Sequence, residues 1–332
     1  MLRSGVDVKE AAKIIANGGI AAFPTETVYG LGGDATNPDA VSRIYSAKGR
    51  PGDNPLILHV GNPSDFNELA DSPPVYAWDL INAFWPGPLT LVAKKKASLP
   101  SWLGGHPSRT ADTVGLRMPS HPMALEVIRA SGCYVAAPSA NKAGTPSPTR
   151  AEHVATDFAD GSIDYVLDGG AVEVGVESTV VDVTGETPVI LRPGAITAEM
   201  ISETTGLKAN GLFSTKTAPR APGMKYRHYA PKAPMTLLVG TDEKIADFIS
   251  LLTHPGKIGI LANIKPGFSK SAIILPLGET QERIAQNLYA NLRQFDNLGV
   301  DIIYAQAPTE TGLGIAILDR MKKAAEGRII HA

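Results

Sequence analysis

Residues 206 to 234 contain no acidic side chain, and that gap divides the 332-residue chain into two separate folding problems. The stretch carries Lys208, Lys216, Arg220, Lys225, Arg227 and Lys232 together with four prolines. Proline interrupts both helix and strand, and unpaired like charges repel, so this segment reads as a linker between two folded units. Before it, residues 1–205 hold 15 basic and 23 acidic side chains, net −8; after it, residues 235–332 hold 10 of each. The overall charge of −2 is therefore a cancellation between an acidic first region and a cationic linker. The linker is either a solvated tether or a strap over an anionic ligand or over the acidic region itself.

The first region alternates helical and strand patterns. Asp7 with Glu10 three residues on forms a capping box for a helix that ends at Gly18-Gly19, and Ile20–Phe23 follows as a short buried strand. Asn37-Pro38 opens a second helix, since proline suits the first turn, where its missing N–H costs nothing. Strands are expected at 56–60, 89–93, 114–117, 134–137, 165–167, 179–183 and 189–191, with helices near 75–84, 121–131 and 197–204. After the linker the alternation becomes regular: strands at 236–239, 258–261, 272–275 and 302–305, and helices at 242–252, 279–294 and 313–325. The two patterns predict a large mixed α/β sheet domain followed by a small α/β domain of the doubly wound type.

Composition narrows the classes. Hydrophobic residues make up 43% of the chain, enough for a sizeable core, so 33 glycines and 26 prolines point to shaped loops rather than disorder. A single cysteine, Cys133, excludes an internal disulfide and a cysteine metal cluster and favours a reducing compartment. The N-terminus lacks the apolar run of a signal peptide, and no apolar stretch is long enough to span a bilayer, so a cytoplasmic protein is expected.

Familiar nucleotide motifs fit poorly. Gly30-Leu-Gly32-Gly-Asp-Ala35 matches a dinucleotide fingerprint, but it lies past Pro24 and six residues beyond its strand instead of in a tight strand-to-helix turn. It leaves a dinucleotide-dependent oxidoreductase as a weak alternative. No P-loop, zinc-protease helix or nucleophile elbow occurs. Instead, polar loop-like segments flank the expected strands: Pro24–Gly30, Lys48–Pro55, Thr113–Arg117, Ala137–Asn141, and Glu177–Thr179 with Arg192–Gly194. Hydroxyls, amides and isolated arginines at strand ends suit the holding of an anionic ligand. Lys48 and Arg50 close a helix, where cations complement the macrodipole. They are equally placed to clamp a phosphate, with Arg as a bidentate donor and Lys as a point charge. Lys94-Lys95-Lys96 reads as a solvated surface run.

Taken together, Pro24-Thr25-Glu26-Thr27-Val28-Tyr29-Gly30-Leu31, Lys48-x-Arg50 with Asn54-Pro55-Leu56, Trp85-Pro86-Gly87-Pro88-Leu89-Thr90, Ser139-x-Asn141 and Glu177-Ser178-Thr179 closely resemble the threonylcarbamoyl-AMP synthase family. Ala221–Pro231 and the C-terminal region look like its longer, two-domain branch. The resemblance runs in order along essentially the whole chain. It implies a twisted mixed-sheet YrdC-like domain with a basic cavity over residues 1–205, a linker over 206–234 and a Rossmann-like domain over 235–332. The implied activity joins L-threonine, bicarbonate or CO2, and ATP with its Mg2+ into threonylcarbamoyl-AMP and pyrophosphate. The product would serve the tRNA threonylcarbamoyl transferase machinery. No metal site of the protein's own is expected.

By similarity, Lys48 and Arg50 are the catalytic cations. With Asn54, Thr113, Ser139, Asn141, Ser147, Arg192 and the linker residues His228 and Tyr229 they would bind ATP. Thr27, Tyr29, His59, Arg117, Ala137 and Ser178 would hold threonine and its carbamate, Arg117 at the carboxylate. Structural roles compete at several positions: Ala137 can bind only through its backbone, Ser147 sits between two prolines and can shape a turn, His59 lies inside an apolar strand, and Tyr29 can serve as a wall. An RNA-binding module using the cavity and the linker is the main alternative, opposed by the acidity of the first region.

Overall fold

The computed structural model describes residues 2–211, 228–263 and 272–332. They fall into two compact units, one within Met1–Ala143 and Pro148–Lys225, the other within Gly144–Ser147 and Tyr226–Ala332. Of the acid-free stretch, Lys216, Arg220, Lys225 and Arg227 lie outside the described residues, so the expected strap is described only over residues 206–211 and 228–234.

The first unit is built on one sheet of eleven strands: β1 (Ser4–Gly5), β2 (Ala21–Phe23), β3 (Gly30–Asp34), β4 (Ile57–His59), β5 (Leu89–Lys94), β6 (Thr113–Arg117), β7 (Val135–Ala136), β8 (Tyr165–Leu167), β9 (Thr179–Asp182), β10 (Val189–Arg192) and β11 (Asn210–Gly211). Their order is β1-β8-β2-β3-β7-β4-β6-β5-β9-β10-β11, with parallel and antiparallel neighbours mixed. Seven helices cover it: α1 (Val8–Ala16), α2 (Pro38–Lys48), α3 (Asp65–Leu69), α4 (Val75–Phe84), α5 (Pro122–Ser131), α6 (Ala151–Asp157) and α7 (Ala198–Thr205). Local chemistry sets several boundaries. Asp7 accepts from the N–H groups of Lys9 and Glu10, Asn37 accepts from those of Asp39 and Ala40, and Gly49 closes α2 in the left-handed conformation at φ 61°.

The two faces of the sheet divide the labour. Alternate strand residues Leu58, Leu91, Leu116 and Val181 enter the main core with apolar side chains of α2, α3, α4, α6 and α7. The opposite face is packed by α1 and α5, through Ala11, Ile15, Ala124, Val127 and Ile128, over β2, β7 and β8. Farther along that second face the residues out of phase with the core are His59, Thr90, Arg117 and Val180, beside a small cluster of Val92, Val180 and Leu191.

The segment Gly30–Asp34 is a buried strand, antiparallel to β2 with Phe23 opposite Gly30. A strand-to-helix phosphate turn is thereby excluded, and the dinucleotide reading of Gly30–Ala35 with it. The sheet selects glycine there for packing, since a Cβ on Gly32 would stand 2.8 Å from Val135 Cγ1.

The second unit holds a five-stranded sheet of β12 (Met235–Val239), β13 (Ile258–Leu261), β14 (Ala272–Leu275), β15 (Ile302–Gln306) and β16 (Ile329–His331), ordered β14-β13-β15-β12-β16 with every pair parallel. Helix α8 (Asp242–Ser250) follows β12, α9 (Gln281–Leu298) follows β14 and α10 (Leu313–Ala324) follows β15. This is a parallel α/β unit, as expected, with the strand order given above.

Gly194, in the turn after β10, is where backbone meets backbone: a Cβ there would collide with the backbone nitrogen of Thr179 and stand 2.7 Å from its Oγ1. Gly194→Ala is expected to destabilise the first unit by about 1–3 kcal/mol through overpacking. Trp78, Trp85 and Trp102 all lie in this unit, so tryptophan fluorescence in a urea titration reads it selectively. An unshifted midpoint would show that the contact yields freely.

Candidate active site

The loop between β2 and β3 is folded by its own hydroxyls. Thr25 Oγ1 accepts from the N–H groups of Thr27 and Val28, both at 3.2 Å, and donates to the Val28 carbonyl at 2.6 Å. Its proton is thus committed, so Thr27 Oγ1 is the donor in the 2.8 Å contact between the two hydroxyls. The Glu26 and Thr27 carbonyls accept from Val174 and Gly175 at 2.7 and 3.1 Å, tying this loop to the chain leading into β9. Thr25, Glu26 and Thr27 are all buried as a result.

Against the loop stands the end of β6. The Arg117 guanidinium donates from Nε to the Gly87 carbonyl at 3.2 Å, and its Nη2 lies 2.7 Å from Glu26 Oε1. The latter contact is an ion pair whose alignment falls short of a hydrogen bond, and both oxygens of Glu26 lack a donor. His59, directly across from Arg117 in the β4–β6 register, is fully enclosed, with Nδ1 lacking a hydrogen-bond partner. Burial first, and the Arg117 charge second, push its imidazole down to about 3 against a weaker opposing pull from the Ile57 and Val135 carbonyls. The ring is neutral at any ordinary pH.

Beside it, Ser178 Oγ lies 2.8 Å from Thr90 Oγ1, and Arg192 donates to Ser178 Oγ and to its carbonyl at 3.1 Å each. Thr113 begins β6 on the same face as Arg117, with Gly115 between them; four residues of strand separate the two by about 13 Å. Thr113 also lines a groove of about 700 Å³ with Lys94, Lys95, Asp112 and Thr184. Of the lysine run there, Lys95 donates to the carbonyls of Pro100 and Ser101.

A second cluster adjoins the start of β4. The Lys48 ammonium, buried at the end of α2, donates to the carbonyls of Ser139 and, at 2.6 Å, Asn141. Arg50 donates to the carbonyls of Asn54 and Pro55 at 3.1 and 2.6 Å. Asn54 is buried with no donor to its Oδ1. Ser139 donates to Asn141 Oδ1 at 2.6 Å, while the Ala137 N–H is committed to the Ile57 carbonyl at 3.0 Å. Tyr29 is enclosed, donating to the Gly170 carbonyl at 2.7 Å and accepting from the Gly169 N–H, and burial pushes its hydroxyl up to about 12. Its hydroxyl braces the loop at 169–170.

Three expected nucleotide contacts, Ser147, His228 and Tyr229, belong to the second unit. There Tyr229, at φ 65°, stacks on Tyr289 at 5.5 Å with Arg320 5.7 Å from its ring, and Ala230 N–H donates to the Gly144 carbonyl at 2.9 Å. The first unit thus gathers His59, Arg117 and Arg192 on the sheet with Ser178 just ahead of β9, Thr27 on the loop between β2 and β3, and Lys48, Arg50, Asn54, Ala137, Ser139 and Asn141 in the second cluster. Sequence reasoning passed over Glu26 and Thr90. The signal for Thr90 was present, because it is a lone hydroxyl in the apolar strand Leu89–Ala93. Among the described residues no group of three or more His, Cys, Asp or Glu side chains is placed to hold a metal ion.

Residues 13–194 match a family model described as telomere recombination, and residues 196–326 match one described as the threonylcarbamoyl-AMP synthase C-terminal domain. The threonylcarbamoyl-AMP synthase of Bacillus subtilis is 45% identical, over 98% of this chain and 94% of its own. That of Pyrococcus abyssi is 44% identical over 97% and 95%. The chain belongs to the threonylcarbamoyl-AMP synthase family. A crystal structure of P. abyssi Sua5 complexed with L-threonine superposes with a TM-score of 0.91 at 41% identity, covering all of this chain and 99% of that one. The match to these relatives therefore runs through both units of the chain.

Within this family member, a buried neutral histidine carries a signature in stability. Unfolded, His59 takes a proton below about pH 6.5; folded, it does not until about 3, so stability is present above the first value and lost as pH falls between the two. His59→Gln is expected to flatten the decline in the urea midpoint between pH 6.5 and 5.5. The difference approaches at most about 1.4 kcal/mol per pH unit. Parallel declines in parent and variant would mean that the folded ring titrates normally.

Proposed function

We infer that the chain is a threonylcarbamoyl-AMP synthase, joining L-threonine, bicarbonate and MgATP into threonylcarbamoyl-AMP with release of pyrophosphate. The observation that carries this reading is the full-length identity to enzymes of that name in both a bacterium and an archaeon. The RNA-binding alternative is not favoured, since those relatives account for both units.

The proposed chemistry asks little covalent work of the protein. Once threonine's amine has become a carbamate, one carbamate oxygen attacks the α-phosphorus and pyrophosphate leaves; the site positions the partners and balances charge on the phosphate oxygens. In this reading Arg117 takes the threonine carboxylate at one end of β6. Thr27, Ser178 and the backbone at Ala137 flank the carbamate, and the neutral His59 closes the floor. The nucleotide then runs along the sheet toward Thr113, with its phosphates between Lys48, Arg50, Asn54, Ser139, Asn141 and Arg192. Ser147, His228 and Tyr229, expected at the nucleotide, lie in the second unit. Tyr29 frames the loop. Mg2+ belongs to the substrate, accompanying the ATP phosphates and neutralising their charge. The labile product is consumed by transfer to the tRNA adenosine through a partner enzyme. No helix among the described residues is long and apolar enough to cross a membrane.

Pyrophosphate release is expected to require threonine and bicarbonate together; equal release with either omitted would sink the reading. Lys48→Ala and Arg50→Ala should each lower turnover more than about tenfold, the scale of a lost charge-assisted contact in a transition state. Unchanged rates in both, with the fold intact by circular dichroism, would remove these cations from the site.

A further inference from the structure

The roles above leave one buried charge without employment. Glu26 is 3% exposed, and neither of its oxygens receives a hydrogen bond, although Oε1 pairs at 2.7 Å with Arg117 Nη2. Burying a carboxylate is costly unless donors satisfy it, and this one has room for several. The position is held by the loop hydroxyls of Thr25 and Thr27 and by the Val174 N–H on the Glu26 carbonyl, so the side chain is aimed by backbone on both sides. A guanidinium beside an undonated carboxylate is complementary to an α-amino acid, which brings a carboxylate for the first and an ammonium for the second.

Resting on the activity inferred above, we propose that Glu26 receives the amino group of threonine and takes one of its protons, acting as the base for carbamate formation. The ammonium gives that proton to the Glu26 carboxylate, leaving a neutral amine and a neutral carboxylic acid. The amine lone pair forms the C–N bond to bicarbonate; the C–OH bond breaks, and the hydroxyl departs with a second amine proton as water. The carbamate carries the single negative charge that bicarbonate brought.

Charge counting favours the transfer. Before it, the enclosed site holds Arg117, Glu26 and both charges of the amino acid; after it, Arg117 and the substrate carboxylate remain, paired. Once the substrate shares Arg117, one guanidinium faces two carboxylates, and a proton on Glu26 removes the surplus negative charge. The other titratable groups around it do not compensate. His59 from β4 is neutral. His121, which precedes α5, is held low by burial against the upward pull of Glu26 and Glu173.

The test is threonine-dependent pyrophosphate release by the full-length protein as a function of pH. Glu26→Gln keeps the shape and cannot accept the proton. It is expected to lower kcat at pH 7 by about a hundredfold or more, the usual worth of a general base. Its ATP affinity by calorimetry should be unchanged, and its rate should climb with pH as free amine accumulates. Glu26→Asp retains a carboxylate and should follow the pH profile of the parent, which keeps the inference testable if the glutamine variant misfolds. A Glu26→Gln enzyme with the parent's rate and profile overturns the proposal. So does a loss confined to KM for threonine with kcat intact, and so does a Glu26→Asp profile that climbs like that expected of glutamine. A parent lacking threonine-dependent release would overturn the activity reading itself, and this inference with it.

Discussion

The period of two along a β-strand is the constraint on which the site depends. In β4, β5, β6 and β9 one set of alternate residues, Leu58, Leu91, Leu116 and Val181, must fill the core under the helices. The set out of phase is then carried to the opposite face as a unit, whatever its chemistry. That set includes His59, Thr90 and Arg117, followed by Ser178 just ahead of β9. A slip of one residue in β6 would place Arg117 in the core and Leu116 in the site, and the same slip in β4 or β5 would bury His59 or Thr90, so burial of the leucines and placement of the polar groups are one event. The placement of the polar set needs no separate specification.

The same face shows how buried charge is managed. Arg117, Arg192 and Lys48 are enclosed, and each is met by backbone carbonyls: Gly87 for the first, Ser178 for the second, Ser139 and Asn141 for the third. Carbonyls solvate a cation without cancelling it. An approaching carboxylate or phosphate still meets positive charge, in surroundings where water screens it little. A region of net charge −8 thus keeps three of its cations enclosed, while its acids are spread along the sequence. Glu26 is the exception, a buried anion paired to a cation yet left without donors, and the rule that buried charges are satisfied makes such an exception informative.

Much of this was legible in the sequence because local chemistry is strong where it occurs. The caps at Asp7 and Asn37, the end of α2 at Lys48, and the strands at 57–59, 89–94 and 113–117 fall where pattern and propensity place them. The failures have physical causes. Gly30–Asp34 reads as a loop because all five of its residues are glycine, leucine or aspartate, with no β-branched side chain among them; tertiary pairing to β2 and β7 makes it a strand. The short elements β1, α3, α6, β11 and β16 have too few residues to show a period. Glu26 was quoted within its motif and given no role, because a sequence does not reveal that an acidic residue is buried or that its partner lies 91 positions away. The pairing with Arg117 exists only after β6 has been brought to the β2–β3 loop.

The second unit extends this lesson to segments rather than single residues. Gly144–Ser147 leaves the first unit after Ala143 and rejoins it at Pro148, and in between it belongs to the second unit. The reason is concrete: Arg293 of α9 donates to the Pro146 carbonyl at 2.5 Å, and Ala230 binds the Gly144 carbonyl. The same helix supplies Tyr289, on which Tyr229 stacks, and Arg320 of α10 flanks that ring. A non-glycine residue at φ 65° is a strained conformation that survives only where its surroundings dictate it. Here aromatic stacking, a buried arginine and the hydrogen bond of the next residue supply that dictation. Prolines 146 and 148 read in the sequence as mere turn formers, but rigid backbone is also what lets so short an excursion present a carbonyl to a fixed arginine. The segments bearing Ser147, His228 and Tyr229 are therefore set by one small group of side chains on α9 and α10, and that is a physical reason for a compact α/β unit to follow the linker.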